Sequence, residues 1–445
     1  MIRLTGRALA LIALVALPAT TLAQKEPPAT KQTKEAEKFL GLAMMKQNPA
    51  DKKAQYELAL KQLQEGMVKD GQNAKVWLLA GQVYVGLADF MGADSAFKKA
   101  EGLHPAYKED ISGEREVAWV EAFNAGITAM DGKNTEDAIK MLELAELLYP
   151  FRPEAKMNLG ALYAAKNENE RAIAVFEQAI EATNGPLKEK LKPEDAASWK
   201  RYADMAKLNI AQIMGARGVE EFEAKKHDEA IVTFGKAAEI NPYSRDYLFN
   251  LAQSYYAKAS ALEEKRLTAL TEQETLTKAR KTAEAKAKAD EAAKVGTELL
   301  PLYEQIVKVS QQTLVLDPAS ETLHHLIARS YKITGDITTD PAQRTSWQNK
   351  ALDVLTRRDA LQFEVEQIGI QTGEGEATVR GSVKNLKAAQ GAPLKIKVTL
   401  VGIAGVAIGT QEFTITAPAA EQTAPFEGKV PTTGEVAGWK YEVIK

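Results

Sequence analysis

No cysteine occurs among the 445 residues, which excludes disulfides, cysteine-ligated zinc, thiol catalysis and the acylated cysteine of a lipid-anchored precursor. Histidine is scarce: His104, His227, His324 and His325 are all there is. The zinc-protease spacing His-Glu-x-x-His is missing, and the neighbours His324 and His325 point about 100° apart on a helix, so they cannot chelate one metal from a shared face. Neither a Gly-x-Ser-x-Gly elbow nor a phosphate-cradling Gly-x-x-x-x-Gly-Lys-Ser/Thr loop is present. Gly402, Gly405 and Gly409 lie among strand signals with no helix after them, the setting of a hairpin turn and not of a nucleotide loop. An excess of charge is lacking too. The formal net charge of −3 argues against a nucleic-acid partner, since a phosphate backbone calls for a concentrated positive surface. No apolar run reaches the roughly 20 residues that span a bilayer of ~30 Å. The expectation is therefore a chain without cofactor, metal or catalytic constellation, and without a stable membrane anchor in its mature form.

What is present is ordinary for a soluble protein of two or three domains: 45% hydrophobic and 26% charged residues. Arg3 and Arg7, the apolar run Ala8 to Leu17 and the small-residue site Thr21-Leu22-Ala23 read as a secretory signal peptide over 1–23. A bacterial periplasmic or secreted protein starting near Gln24 follows. The polar stretch 24–33 with Pro27-Pro28 suits a flexible leader.

Helical periodicity starts near Lys34 and continues to about Leu361. Its organising stretch carries Trp77, Gly81, Tyr84, Ala93, Phe97, Ala100 and Pro105, the order of a helix-hairpin repeat of about 34 residues. Small residues let two antiparallel helices approach, bulky ones fill the space between them, and Pro105 ends the second helix. The pattern returns with Gly126, Ala138 and Leu142, then with Gly160, Tyr163, Ala172 and Phe176, and again with Gly218, Ala230 and Phe234. A polar insertion at Tyr107 to Glu116 and an extra helical stretch from Pro193 to Ile210 interrupt it. The hairpin before Trp77 is degenerate, as a capping unit often is. Beyond Tyr255 an Ala, Lys, Glu and Thr-rich segment, 258–295, reads as a solvated helical extension, with Pro301 opening the delayed second helix. One more unit runs from Leu323 to Leu355.

Near Phe363 the period changes from 3.6 to 2. Leu394, Ile396, Val398 and Leu400 alternate with Lys395, Lys397 and Thr399, a strand with one buried face. Similar runs at Thr378 to Lys384, Val406 to Ile415 and Trp439 to Val443 predict an immunoglobulin-like β-sandwich over 362–445. The predicted fold is thus an all-α superhelical solenoid followed by a small all-β domain.

The helical part resembles the tetratricopeptide-repeat family. That resemblance implies a right-handed superhelix whose inner groove, lined by the first helix of each unit, receives a peptide or protein partner. On the family's alignment Phe123, Ile127, Val219, Phe222, Phe249 and Tyr256 would line the groove. Leu78 and Gln82 stand where a carboxylate-clamping member carries Lys and Asn. The C-terminal part resembles the FxLYD-type sandwich through Gly381-Ser382-Val383-Lys384-Asn385, Pro425-Phe426 and Gly438-Trp439-Lys440-Tyr441, although Thr399-Leu400-Val401-Gly402 replaces the family's Tyr-Asp pair. Together these features predict an exported scaffold or adaptor that binds a protein partner and is not an enzyme. A self-assembling envelope protein and a carbohydrate-active enzyme with dispersed carboxylates remain as alternatives.

Overall fold

The computed structural model describes residues 25–444, and the segment read as a signal peptide lies outside the described residues. Two compact units divide the chain, Met1–Ala206 and Lys207–Lys445.

The first unit contains α1 (Lys31–Met45), α2 (Pro49–Asp70), α3 (Ala74–Gly86), α4 (Phe90–Leu103), α5 (Lys108–Asp131), α6 (Thr135–Leu148), α7 (Pro153–Ala165) and α8 (Asn169–Thr183). Helix α9 (Pro193–Glu223) runs across the division. The first helix begins at Lys31, three residues earlier than the periodicity suggests, because Thr30 and Thr33 form a reciprocal capping box. The leader is correspondingly short. It is also tethered: Asn73 Nδ2 donates to the Pro28 carbonyl at 2.9 Å and the Tyr107 hydroxyl to Glu26 at 3.0 Å. The polar insertion near Tyr107 forms the first two turns of α5, anchored by buried Ile111 and by Arg115, which donates to Asp94 and Glu101. The extra stretch from Pro193 likewise merges into the following repeat helix to make the 31-residue α9.

One contact repeats in every well-formed hairpin. A glycine on the first helix faces the side chain sixteen residues later on the second. A Cβ built on Gly160 would lie 2.6 Å from the Phe176 ring, one on Gly126 2.8 Å from Leu142, one on Gly218 2.8 Å from Phe234, and one on Gly81 closer still to Phe97. The turns repeat as well. At Ala88, Lys133, Asn167, Lys225 and Arg280 the backbone is left-handed, with φ between 58° and 61°. In each, the next residue's N–H reaches back five positions, as Asn134 N does to Ala129 O at 2.8 Å. This is the helix-ending motif that glycine normally fills, yet none of the five is glycine. Lys133→Gly should therefore stabilise the first unit by about 0.5–1 kcal/mol, read as a higher denaturation midpoint. A lower midpoint would show that the lysine is not strained there.

The second unit contains α10 (His227–Ile240), α11 (Arg245–Lys278), α12 (Thr282–Leu316), α13 (Glu321–Ile337) and α14 (Pro341–Asp359). Helix α11 has 34 residues against 13 in α7, and α12 has 35 against 15 in α8. The turn at Arg280 keeps the hydrogen bonds of the other repeats, so the predicted insertion is one ordinary hairpin lengthened equally on both sides. At 1.5 Å per residue the surplus forms an arm of ~30 Å. Its seam is made of Ala269, Ala285, Ala292 and Gly296, all buried, which accounts for the scarcity of bulky residues there. Pro301 does not open a helix. It sits inside α12 on the solvent side, where water can satisfy the carbonyl it leaves without a donor.

Six strands follow: β1 (Phe363–Thr372), β2 (Glu376–Asn385), β3 (Pro393–Val401), β4 (Ala407–Thr416), β5 (Thr423–Pro431) and β6 (Gly438–Ile444). They form two antiparallel sheets ordered β1-β2-β5 and β4-β3-β6. Leu394, Ile396, Val398 and Leu400 of β3 share one core with Val379, Val383 and Val430 of the other sheet, and the Phe413 and Phe426 rings meet across it at 4.9 Å. Strand β5 escaped the alternation test because Pro425 and Pro431 interrupt it. Its place at a sheet edge is where a residue without N–H is tolerated. The three glycines after Val401 include the β3–β4 turn, with Gly405 at φ +77°.

The sandwich is joined firmly to the hairpins before it. Tyr441 is buried; its hydroxyl donates to Asp317 Oδ1 at 2.7 Å and accepts from Ala319 N at 3.0 Å. Arg245 Nε donates to the other carboxylate oxygen at 3.1 Å, and Asn241 Nδ2 donates to the Ala437 carbonyl at 2.6 Å. The change from helix to strand near residue 361 is therefore a change of fold type within one compact unit.

Candidate functional site

Of the six residues expected in the groove, Phe123 and Ile127 are buried in the first unit and the other four lie in the second. Phe123 is fully buried and stacks on Trp119 with ring centroids 4.9 Å apart, and Ile127 is buried beside it on α5. Both belong to the core of the first unit, because Arg152 lies over the Trp119 ring at 4.8 Å and closes the face that a groove would need. In the second unit Val219 is 39% exposed, while Phe222 packs on the Ala230–Phe234 cluster. Phe249 lies under the Arg245 guanidinium at 4.3 Å and so supports the joint to the sandwich. Tyr256 lies under Arg329 at 5.4 Å. Gln82, at the second clamp position, instead donates to Glu114 at 2.7 Å.

The first helix of the best-formed hairpin is also covered. Every residue of α7 from Pro153 to Gly160 is buried, including Glu154, Lys156 and Asn158. Such charges are tolerated only when paired, and here they are. Arg152 bridges Glu154 at 2.9 Å and Glu116 at 3.0 Å, Trp199 Nε1 donates to Glu154 at 3.4 Å, and Lys156 donates to Glu146 and to the Pro150 carbonyl. Glu146 is the poorly served member, since its Oε1 has no hydrogen-bond partner. Burial pushes its carboxyl up to about 7, against the opposing pull of Lys156. Between pH 4.5 and 7 the folded chain thus holds a proton that the unfolded chain has released, and stability falls as pH rises through that window. Glu146→Gln should flatten this dependence, a change on the order of 1–3 kcal/mol, measured by denaturation at about pH 4.5 and 7.5, on either side of that window. An unchanged slope would mean that Glu146 stays ionised.

An open concavity lies in the second unit. Helices α11, α13 and α14 enclose about 700 Å³, and a neighbouring hollow of about 470 Å³ continues along α11 and shares Glu263, Leu267 and Arg329 with it. Each helix supplies one stripe at helical spacing: His325, Ala328, Arg329, Lys332, Ile333 and Asp336 from α13; Gln348, Ala351, Leu352 and Leu355 from α14; Glu263, Arg266 and Leu267 from α11. Leu267 and Leu352 are 51% and 64% exposed. Glu263 and Arg266 satisfy each other through two bonds of 3.0 Å along α11. His324 turns away and uses Nδ1 on the Ser320 carbonyl at 2.8 Å, leaving His325 alone in the groove. Among the described residues, no cluster of three or more His, Asp or Glu is placed to hold a metal, and no helix is long and apolar enough to cross a membrane.

Only the neighbourhood of Tyr256 was visible from the sequence, and indirectly. The usable signal was Leu352 and Leu355: a repeat stripe in the last hairpin, with strands and not another hairpin following it.

Residues 153–185 match the tetratricopeptide repeat. That stretch is α7 and α8, with Gly160 facing Phe176. The hairpins bearing Gly81, Gly126 and Gly218 reproduce its contact and its turn, so these hairpins are of the tetratricopeptide type, and a small β domain follows the helices. A comparison with curated proteins found no match. Among solved structures, the MamA protein is 19% identical over 51% of this chain and 94% of its own, with a TM-score of 0.21. YrrB, described as a tetratricopeptide protein with an unusual peptide-binding site, is 18% identical over 49% and 97%, with a TM-score of 0.19. The tetratricopeptide domain of P58(IPK) is 12% identical over 73% and 99%, with a TM-score of 0.22.

Proposed function

We propose that this chain is an exported, non-catalytic scaffold that binds a segment of a protein partner in the groove between α11, α13 and α14. The observation that carries this reading is the pair Leu267 and Leu352, two large apolar side chains standing open on facing walls of one concavity. Burying one such side chain contributes ~1.5–3 kcal/mol, so a partner covering both gains about 3–6 kcal/mol toward the cost of association. The tetratricopeptide match supports a binding role, and the basic, apolar and small-residue pattern of 1–23 supports export. The FxLYD-type resemblance of the β domain remains part of the proposal. Its firm joint to the hairpins suits a domain that holds the groove in a fixed direction. A displayed library of peptides about four helical turns long, selected on the mature chain, tests the reading. Selected peptides should lose at least tenfold in affinity against Leu352→Asp, a surface change that leaves the fold intact. If no peptide is selected, or if none is weakened by Leu352→Asp, the groove is not a binding site.

A further inference from the structure

Resting on that reading, we infer that the occupant of the groove is an amphipathic α-helix of about three turns with an acidic flank. The shape comes first. In a solenoid each hairpin covers the apolar stripe of the one before it, but after α14 the chain turns into strands at Phe363. Ala351, Leu352 and Leu355 therefore keep a stripe at helical spacing with no following helix upon it. The opposite wall is helical as well. On α13 the lining residues run from His325 to Asp336, eleven steps of 1.5 Å, or ~17 Å, which is three turns. Walls of that length and spacing accept the ridges of another helix, whereas an extended segment would leave its own N–H and C=O groups unpaired against side chains.

Charge then chooses the helix. Arg329 and Lys332 fall at i and i+3 on α13, two positive charges on one side of the groove, with His325 one turn before them. Among the described residues Arg329 and Lys332 make no salt bridge: Arg329 rests on the Tyr256 ring, and Glu263, which also lines the groove, is bonded twice to Arg266. Asp336 closes that side at one end and tempers the positive field only there. A partner helix with leucine-type residues toward Leu267, Leu352 and Leu355, and Asp or Glu one step around toward Arg329 and Lys332, meets both demands.

The test uses the full mature chain and the peptides selected in the library experiment, made synthetically with fluorescent labels. Selected sequences should carry at least two acidic residues on the flank beside their apolar stripe. Replacing those acids with lysine should weaken binding at least tenfold, and the double variant Arg329→Glu/Lys332→Glu should reverse the preference. Placing two prolines mid-peptide should abolish binding. Groove-binding peptides that are basic or neutral, that ignore the charge reversal, or that tolerate the prolines overturn the acidic-helix assignment while leaving the groove itself a binding site. Peptides indifferent to Leu352→Asp remove both. Concentration-dependent dimers in light scattering, abolished by Leu352→Asp, would overturn the assignment in favour of a second copy of this chain.

Discussion

Gly160→Ala should lower the stability of the first unit by up to about 2 kcal/mol, even though alanine favours a helix interior over glycine by ~1 kcal/mol. The added methyl would lie 2.6 Å from the Phe176 ring, and forcing extra volume into a packed interior costs about 1–3 kcal/mol. Crowding therefore outweighs propensity. Phe176→Leu placed in the same chain should recover at least half of the loss, because the smaller side chain makes room. The two changes together should show a coupling of about 1 kcal/mol or more in a double-mutant cycle by chemical denaturation. Gly126 provides an internal control. A methyl added there would stand 2.8 Å from Leu142, and an aliphatic chain yields more readily than a ring, so Gly126→Ala should cost less. Equal losses at the two sites, or a gain at Gly160, would contradict the account of how these hairpins close.

Tyr441→Phe should cost about 2–4 kcal/mol at neutral pH, because each buried polar group left without a partner costs roughly 1–3 kcal/mol and the change strands two, Asp317 Oδ1 and Ala319 N–H. The loss should depend on pH. Burial holds the Asp317 carboxyl above its ordinary range, opposed by the bonds from Tyr441 and Arg245. Without the phenol the carboxyl moves further up. An acid raised in the folded state loses stability as pH rises above its ordinary value, so the penalty should be larger at about pH 7 than at about pH 4, close to the ordinary carboxyl range. Denaturation of both chains at the two pH values decides it. A loss under about 0.5 kcal/mol, below the usual worth of one hydrogen bond, or one that does not shrink in acid, would mean that the hydroxyl does not hold the sandwich to α12.

How much could be read in advance differs between elements. The Gly160 hairpin was legible because all its determinants fall within one repeat: the glycine, the ring that fills it and the turn at Asn167 are close in sequence and interact with one another. Strand β3 was legible for the same reason, its buried leucines and valines alternating with lysines. Phe123 was not. An aromatic residue on a first helix reads the same whether it lines a groove or packs beneath Trp119, and the difference rests on Arg152, on the loop before the next repeat. Pro301 misled because its usual place is a helix start, while its tolerance inside α12 depends on which side faces water.

Sequence alone determined the hairpin repeat, the length of its departures from register and the β character of the stretch after Phe363, since each follows from side chains within a few turns or one strand of each other. Tertiary structure decided where a surface stays open. An apolar stripe becomes core or groove according to what lies across from it: α7 is enclosed among charges that satisfy each other, while α14 ends the array with Leu352 uncovered. That outcome depends on the next element packing or failing to pack, which no local pattern records.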